Sequence, residues 1–509
     1  MKGIPSAVGV AVGLWAIAGA SAAAQMRQTS YLKASNPSAY AHFGEGGTQP
    51  GHSGQTVAVS GDADTIAIGA PHDSGAGAVY VYIRGASGWT QQAYIKASNP
   101  RAGSDFGSSV ALSADGSTMA VSAHWEGSGT TGVDGDQTDT SVPQAGAVYV
   151  FTRAGGTWRQ QAYLKASNTG EGGEHGDGDQ FGFSLALSGD GATLAVGAIT
   201  EDSHASGING SQADNSANSA GAVYVFRRTN TTWTQQAYVK APTPAAFTAG
   251  DLFGFSVALS ASGNTLAVGV YDEGGSSRAV NGPVDNARGG SGAVYVYART
   301  ERTWSTQAYL KASIAEAGDS WGVSVALSDD GNTLAVGSAD EDCLATGLNP
   351  PGCAGDGAGD LSAGAVSVFV RTGAAWREQA FLKPSNAGKQ DWFGVRLALS
   401  GDGSSLAVAA PNEDSRAQGL GGNQVDNSAD EAGAVYLFTR RGATWSQQQF
   451  VKPASNEAFD EFGGSLALSR DGRTLVVGAK GEDGGAAGVN GNQNDNSVDE
   501  AGAAYIFAR

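Results

Sequence analysis

The chain has 509 residues, 49 acidic and 30 basic, giving a formal net charge of −19, with 77 glycines, 14 prolines and two cysteines. A charged fraction of only 16% excludes a coiled coil. The lack of a Gly-X-Y period excludes collagen, and the acidic balance excludes a binder that neutralises nucleic-acid phosphates.

In chain order, residues 1–24 read as an export signal. Lys2 precedes an apolar run from Ile4 to about Ala20, and Ala22-Ala23-Ala24 stands before Gln25. No later stretch approaches the ~18 apolar residues that a spanning helix needs. The expected mature chain is therefore 25–509: one domain, monomeric, not inserted in a membrane, and located outside the cell, in the periplasm or on the cell surface.

From there a repeat governs the sequence. The phrase GAVYVF or a near copy begins at Gly77, Gly146, Gly221, Gly292, Gly364, Gly433 and Gly502. Each copy holds four short apolar or β-branched segments bounded by Gly, Asp, Asn or Ser. In the third copy they are Phe181–Ser188, Thr193–Ala198, Gly221–Phe226 and Trp233–Ala241. The two middle segments are apolar on both faces, as strands sandwiched between neighbouring sheets must be. The predicted fold is all-β, a seven-bladed propeller. Its ends fit together: Ser30–Asn36 matches a fourth segment without the first three, and the chain stops at a third segment without a fourth. The N-terminal strand is expected to complete blade 7 and remove the open edge.

The phrase DxFGxSVALSxDGxTLAVGA…AGAVYVF resembles the FG-GAP repeats of the integrin α-chain propeller, more closely their bacterial secreted relatives, over essentially all of 25–509. The resemblance implies the fold and says little of function. Integrin blades often carry a D-x-D-x-D-G calcium loop between the first two strands. Here only Asp115, Asp190, Asp402 and Asp471 remain, at Asp-Gly positions that read as hairpin turns, so that calcium site is not carried over.

Charge is unevenly placed. In an antiparallel blade the 2–3 and 4–1 connections share one end, and these hold 39 of the 49 acidic residues. The 2–3 connections are long in six blades and repeat a pattern. Glu201-Asp202 and Asp214 in blade 3 recur as Glu413-Asp414 and Asp426 in blade 6, and as Glu482-Asp483 and Asp495 in blade 7. Carboxylate and amide oxygens separated by glycine suit calcium, a hard ion taking 6–8 oxygens. The same residues also suit turns, since Asp and Asn bond their own backbone. These nine residues are the candidate calcium ligands, and calcium the candidate cofactor. Trp89, Trp158, Trp233, Trp304, Trp376 and Trp445 open outer strands and read as packing. Trp125, Trp321 and Trp392 fall near the acidic end, where stacking on a sugar competes with packing. The six histidines, at 42, 52, 72, 124, 175 and 204, show no metal-binding spacing. Cys343 and Cys353 share one loop and are expected to pair in an exported protein.

The functional expectation is a secreted binding or adhesion propeller, not an enzyme, engaging a protein or surface ligand through its acidic face, with calcium as a candidate requirement. A multivalent lectin is the alternative. A polysaccharide-active enzyme would call for a unique carboxylate or histidine cluster in a central pocket.

Overall fold

The computed structural model describes residues 25–46, 54–170, 178–242, 250–353 and 361–509. The expected export signal lies outside them. The described chain forms seven four-stranded antiparallel sheets. Apart from a 3-10 turn at Asp73–Gly75 it contains no helix.

Blade 3 shows why the repeat folds this way. Its strands are Leu185–Leu187, Thr193–Ala198, Ala222–Thr229 and Thr232–Val239, running outward from the axis. Every residue of the second is buried, and so are the first five of the third. A strand covered on both faces has no polar alternation to keep, which is why TLAVGA and AVYVF are apolar throughout. The fourth strand is exposed or half-buried over its first five residues apart from Trp233, where its outer rim meets solvent, and buried over its last three.

The cores lie between blades. Val223, Val225 and Ala237 of blade 3 pack in one cluster with Phe253, Val268 and Tyr295 of blade 4. Main-chain contacts join the same neighbours. The Phe181 N–H donates to Ala145 of the preceding blade at 3.0 Å. Gly146 sits so close to Phe181 that a Cβ would fall 2.1 Å from its carbonyl oxygen. The glycine of GAVYVF is there because the next blade's Phe-Gly leaves no room for a side chain. Around the lower end, the 1–2 turns hydrogen-bond in series: Ala114 N–H to Gly189, Gly189 to Ala261, and Ala261 to Asp329.

The outer-strand tryptophans are inter-blade fasteners. The indole N–H groups of Trp158, Trp233, Trp304, Trp376 and Trp445 each donate to a glutamine one blade earlier: Gln92, Gln161, Gln236, Gln307 and Gln379, at 2.9–3.1 Å. An arginine lies over each of these rings, 5.3–5.6 Å from its centroid. Trp321 replaces a phenylalanine in the repeat and is buried in the core.

The long 2–3 loops have a structural task that the sequence pattern did not reveal. Each doubles back along its own outer strand. Asn209 donates its N–H to the Tyr238 carbonyl at 2.7 Å and accepts the Tyr238 N–H on its side chain at 3.0 Å. Asn281 holds Tyr309, Asn349 holds Phe381 and Asn490 holds Tyr31 in the same way. These arms shield the end of an otherwise bare sheet edge. The structure also joins Cys343 to Cys353, with Cα atoms 5.2 Å apart, inside the blade 5 arm.

Closure is as the sequence implies. Arg27–Leu32 pairs antiparallel with Ala503–Ala508, with Tyr31 opposite Tyr505. Met26 is fully buried, and its N–H donates to Gln449 of blade 6 where other blades use a tryptophan. Deleting residues 25–36 should therefore bare the third strand of blade 7 and open the ring. The expected result is a thermal midpoint lower by well over ten degrees, or aggregation. A truncated protein melting within two degrees of the full chain would show that closure lies elsewhere.

Candidate functional site at the acidic end of the central channel

The repeated acidic residues come first. Glu126, Glu201, Glu273, Glu341, Glu413 and Glu482 are all buried, each against the lysine that ends its own blade's fourth strand. The Lys165–Glu126, Lys240–Glu201, Lys311–Glu273 and Lys452–Glu413 pairs span 2.7–3.1 Å. Lys33–Glu482 and Lys383–Glu341 are paired likewise. In blade 3 the other glutamate oxygen is also occupied: it accepts the Tyr238 hydroxyl at 2.8 Å and the Asn168 amide of the preceding blade at 2.9 Å. Burial lowers the Lys240 ammonium, and the Glu201 charge opposes that shift. In blade 1 an Asp73–Lys96 pair takes the same place and is partly exposed.

The nine residues expected to hold calcium are therefore not gathered into oxygen cages. Glu201, Glu413 and Glu482 are committed to lysine. Asp202, Asp414 and Asp483 accept the main-chain N–H groups of Ser219, Glu431 and Glu500 at 2.7–2.9 Å and fold their own arms. Asp214 caps Ser216 at the surface, and Asp426 and Asp495 stand half-buried along the arms. The physical reason is that a buried carboxylate needs a cation, and the chain supplies one seven times over. The loop glutamines serve the same architecture: Gln212 accepts the Ser167 hydroxyl of the preceding blade at 2.8 Å.

A second carboxyl recurs just before the Phe-Gly or Trp-Gly entry to the blade. Burial, then the charge of Glu201, pushes Asp179 up to about 8. Burial likewise raises Asp319, Asp391 and Asp460 to about 7. Each accepts a main-chain N–H, for instance Gly388 to Asp391 at 2.8 Å.

The residue following each of these positions has a left-handed backbone. They are His42, Asp105, Gln180, Leu252, Ser320, Trp392 and Glu461, with φ between 50° and 60°. The turn lets the main-chain N–H reach back across the blade boundary, as Gln180 does to Gln144 at 3.0 Å. The side chain is left free to vary, and at the axis it varies by sector. In blades 3 to 6 the mouth is apolar. Phe183, Phe255, Val323 and Val395 form one cluster, with Leu252, Tyr271 and Trp392 packed against it. Phe255 stacks on Tyr271 at 4.7 Å. Below it runs an axial cavity of about 320 Å³, lined by first-strand residues such as Val57, Leu185, Val257 and Val325.

Across blades 7, 1 and 2 the mouth is polar. His42 and His72 face each other with ring centroids 4.7 Å apart. Glu45 lies 3.4 Å from His42 Nδ1, and Asp105 4.0 Å from His72. Burial alone would lower the His42 imidazole, but Glu45 and Glu500 hold it above its ordinary value. Burial raises Asp105 to about 6. His124 Nδ1 contacts Ser108 at 2.9 Å, and its ring meets Phe183 edge-on at the border of the two sectors. Sequence reading missed this cluster because it sought a local histidine spacing. The available signal was a departure from the repeat: histidine where other blades carry Gln, Leu or Trp.

An all-β ring of seven sheets with an axial channel defines a seven-bladed β-propeller. The FG-GAP repeat pattern matches residues 89–151, 158–226, 376–438 and 445–507, about half of the chain, and the protein belongs to the FG-GAP repeat family. No curated protein matches it in sequence. Among solved structures it is similar to the β-propeller domain of Cps50 (Swd1) from Myceliophteria thermophila, at 11% identity, TM-score 0.48, covering 91% of this chain and 98% of that one. It is also similar to the periplasmic gluconolactonase PpgL of Pseudomonas aeruginosa, at 15% identity, TM-score 0.45, covering 84% and 98%.

Three outcomes are expected. Glu201→Ala should destabilise the protein by about 3–5 kcal/mol by stranding Lys240. Millimolar calcium should raise the melting temperature of the wild type no more than sodium chloride of equal ionic strength does. A calcium-specific rise lost in a Glu482→Ala, Asp483→Ala, Asp495→Ala variant would restore the arms as metal sites.

The third concerns pH. Asp179, Asp319, Asp391 and Asp460 have folded-state values raised above their unfolded value near 4, so the folded protein binds more protons between pH 4 and about 7–8. Their contribution is full below pH 4 and is lost as pH rises to 8. The Asp179→Asn, Asp391→Asn variant should be more stable than the wild type at pH 8, with a flatter stability profile from pH 5 to 8. An unchanged profile would show that these carboxyls ionise normally.

Proposed function

We propose that the protein is a binding propeller that seats its ligand at the axial mouth on its acidic face. The observation that carries this reading is the sectored mouth. Elsewhere the blades repeat the same contacts, blade 1 with its shortened 2–3 connection apart, and here they diverge into an aromatic half and a histidine–carboxylate half. Repetition serves the ring, and function on a common fold resides in what is grafted onto it. The chemistry favours a basic segment of a partner protein, its cationic side chain toward Glu45 and Asp105 and an apolar side chain toward Tyr271 and Trp392. The surrounding acidic loops would speed the encounter and confer salt dependence. The Cys343–Cys353 bond fits an exported protein. A hydrolytic reading is favoured by one feature, the His42–Glu45–His72–Asp105 group in a concave site.

The test is a peptide array of basic–aromatic, acidic and neutral sequences run beside a glycan array. Basic–aromatic peptides are expected to bind, more weakly as salt rises from about 50 to 300 mM. Tyr271→Ala and Trp392→Ala should each lose about tenfold or more in affinity. Binding restricted to neutral glycans would make the protein a lectin. Binding indifferent to the mouth variants would overturn the mouth as the site.

A further inference from the structure

The polar sector contains an arrangement that ligand binding alone does not require. His42 is held from two sides: its main-chain N–H donates to the Glu500 carbonyl at 3.3 Å, and its Nε2 lies 3.0 Å from a Glu500 carboxylate oxygen. That contact makes Nε2 the protonated nitrogen of the neutral ring and leaves a lone pair on Nδ1. Nδ1 is buried and faces Glu45 Oε2 at 3.4 Å, longer than the ~2.7–2.9 Å of a charge-assisted hydrogen bond. In the neutral ring these two electron-pair donors point at one another, and a cation, whether a proton or a metal ion, is what joins them. Ligand atoms of His42, Glu45 and His72 all lie within 4.8 Å of each other. Tetrahedral ligands at about 2.0–2.1 Å from a zinc ion would stand about 3.3–3.4 Å apart, which is the Nδ1–Oε2 separation.

We propose that His42, His72 and Glu45 form a binding site for one divalent transition-metal ion of the zinc class, with Glu500 as the outer carboxylate that orients His42. Two imidazoles and a carboxylate are an open ligand set, leaving a position for an exogenous group. His72, with its side chain 42% exposed, keeps that position accessible from the mouth. Two histidine ligands set the site apart from a calcium site, which takes oxygen alone. The site rests on the mouth reading for its location only, since the metal needs no partner to bind.

The experiment is a zinc titration of the full protein, freed of metal by chelation, against a chromophoric competitor, with cobalt(II) absorption to report coordination. One equivalent is expected to bind, with a cobalt spectrum of four- or five-coordinate character. The His42→Ala, His72→Ala variant should lose about 100-fold or more in affinity. Glu500→Ala should lose about 10- to 100-fold with the ligands intact. His204→Ala, altering an exposed loop histidine away from the site, should match the wild type. Thermal melts on each variant identify any that fails to fold, and the single His72→Ala variant, altered at the exposed ligand, keeps the test open if the double variant does. Stoichiometry above one, or affinity that survives loss of both histidines, would overturn the proposal as adventitious binding. Zinc binding that persists in Tyr271→Ala while peptide binding is lost would separate this site from the ligand reading. Peptide binding without zinc binding would sink the metal and leave that reading standing.

Discussion

Everything in this protein depends on strands that must be buried on both faces. A four-stranded blade whose middle strands read TLAVGA and AVYVF cannot satisfy them alone. Each sheet is half of two interfaces, so only a closed ring leaves no apolar face uncovered. The latch follows from this, because one unpaired edge strand or one missing neighbour would expose as much surface as the core was built to hide. The close contact of Gly146 with Phe181, the Trp–Gln fasteners and the chain of turn-to-turn hydrogen bonds are successive layers of the same interface, from axis to rim.

The buried Lys–Glu pairs are a second consequence. At the acidic end each fourth strand must stop, its arm must turn back along it, and the next blade must be met. One glutamate does all three, accepting from lysine, tyrosine and the neighbouring blade's asparagine. Buried ion pairs are poor sources of net stability, because desolvation consumes most of the attraction. Their use here is geometric. Leaving either partner alone is costly, so the loop can take up only the arrangement that pairs them.

This explains what the sequence made legible. Blade number, strand order and closure were readable because period-wide patterns such as GAVYVF report burial, and burial is what the ring imposes. The arms were only half legible, for an instructive reason. Asn209, Asp202 and Glu201 look like ligands because oxygens separated by glycine serve a metal and a folded loop equally well. Only spatial neighbours, here Lys240 and the backbone of Tyr238, tell the two apart. The mouth went unread for the opposite reason. His42 and His72 belong to different segments that meet at the axis, and no local spacing records that meeting.

Blade 1 draws these threads together. It has the shortened 2–3 connection, with Asp73 where the others place glutamate. Without an arm its outer strand is less covered, and Tyr94 is 42% exposed where Tyr238 and Tyr163 are buried. The same shortening lets His72 emerge at the mouth without a loop across it, beside the histidine that the 7–1 connection delivers. The blade least bound by the repeat is thus the one that carries the chemically distinct groups. A ring that can afford one incompletely armed blade, because its neighbours and the latch still hold it, gains at that blade a place where side chains answer to a ligand rather than to the fold.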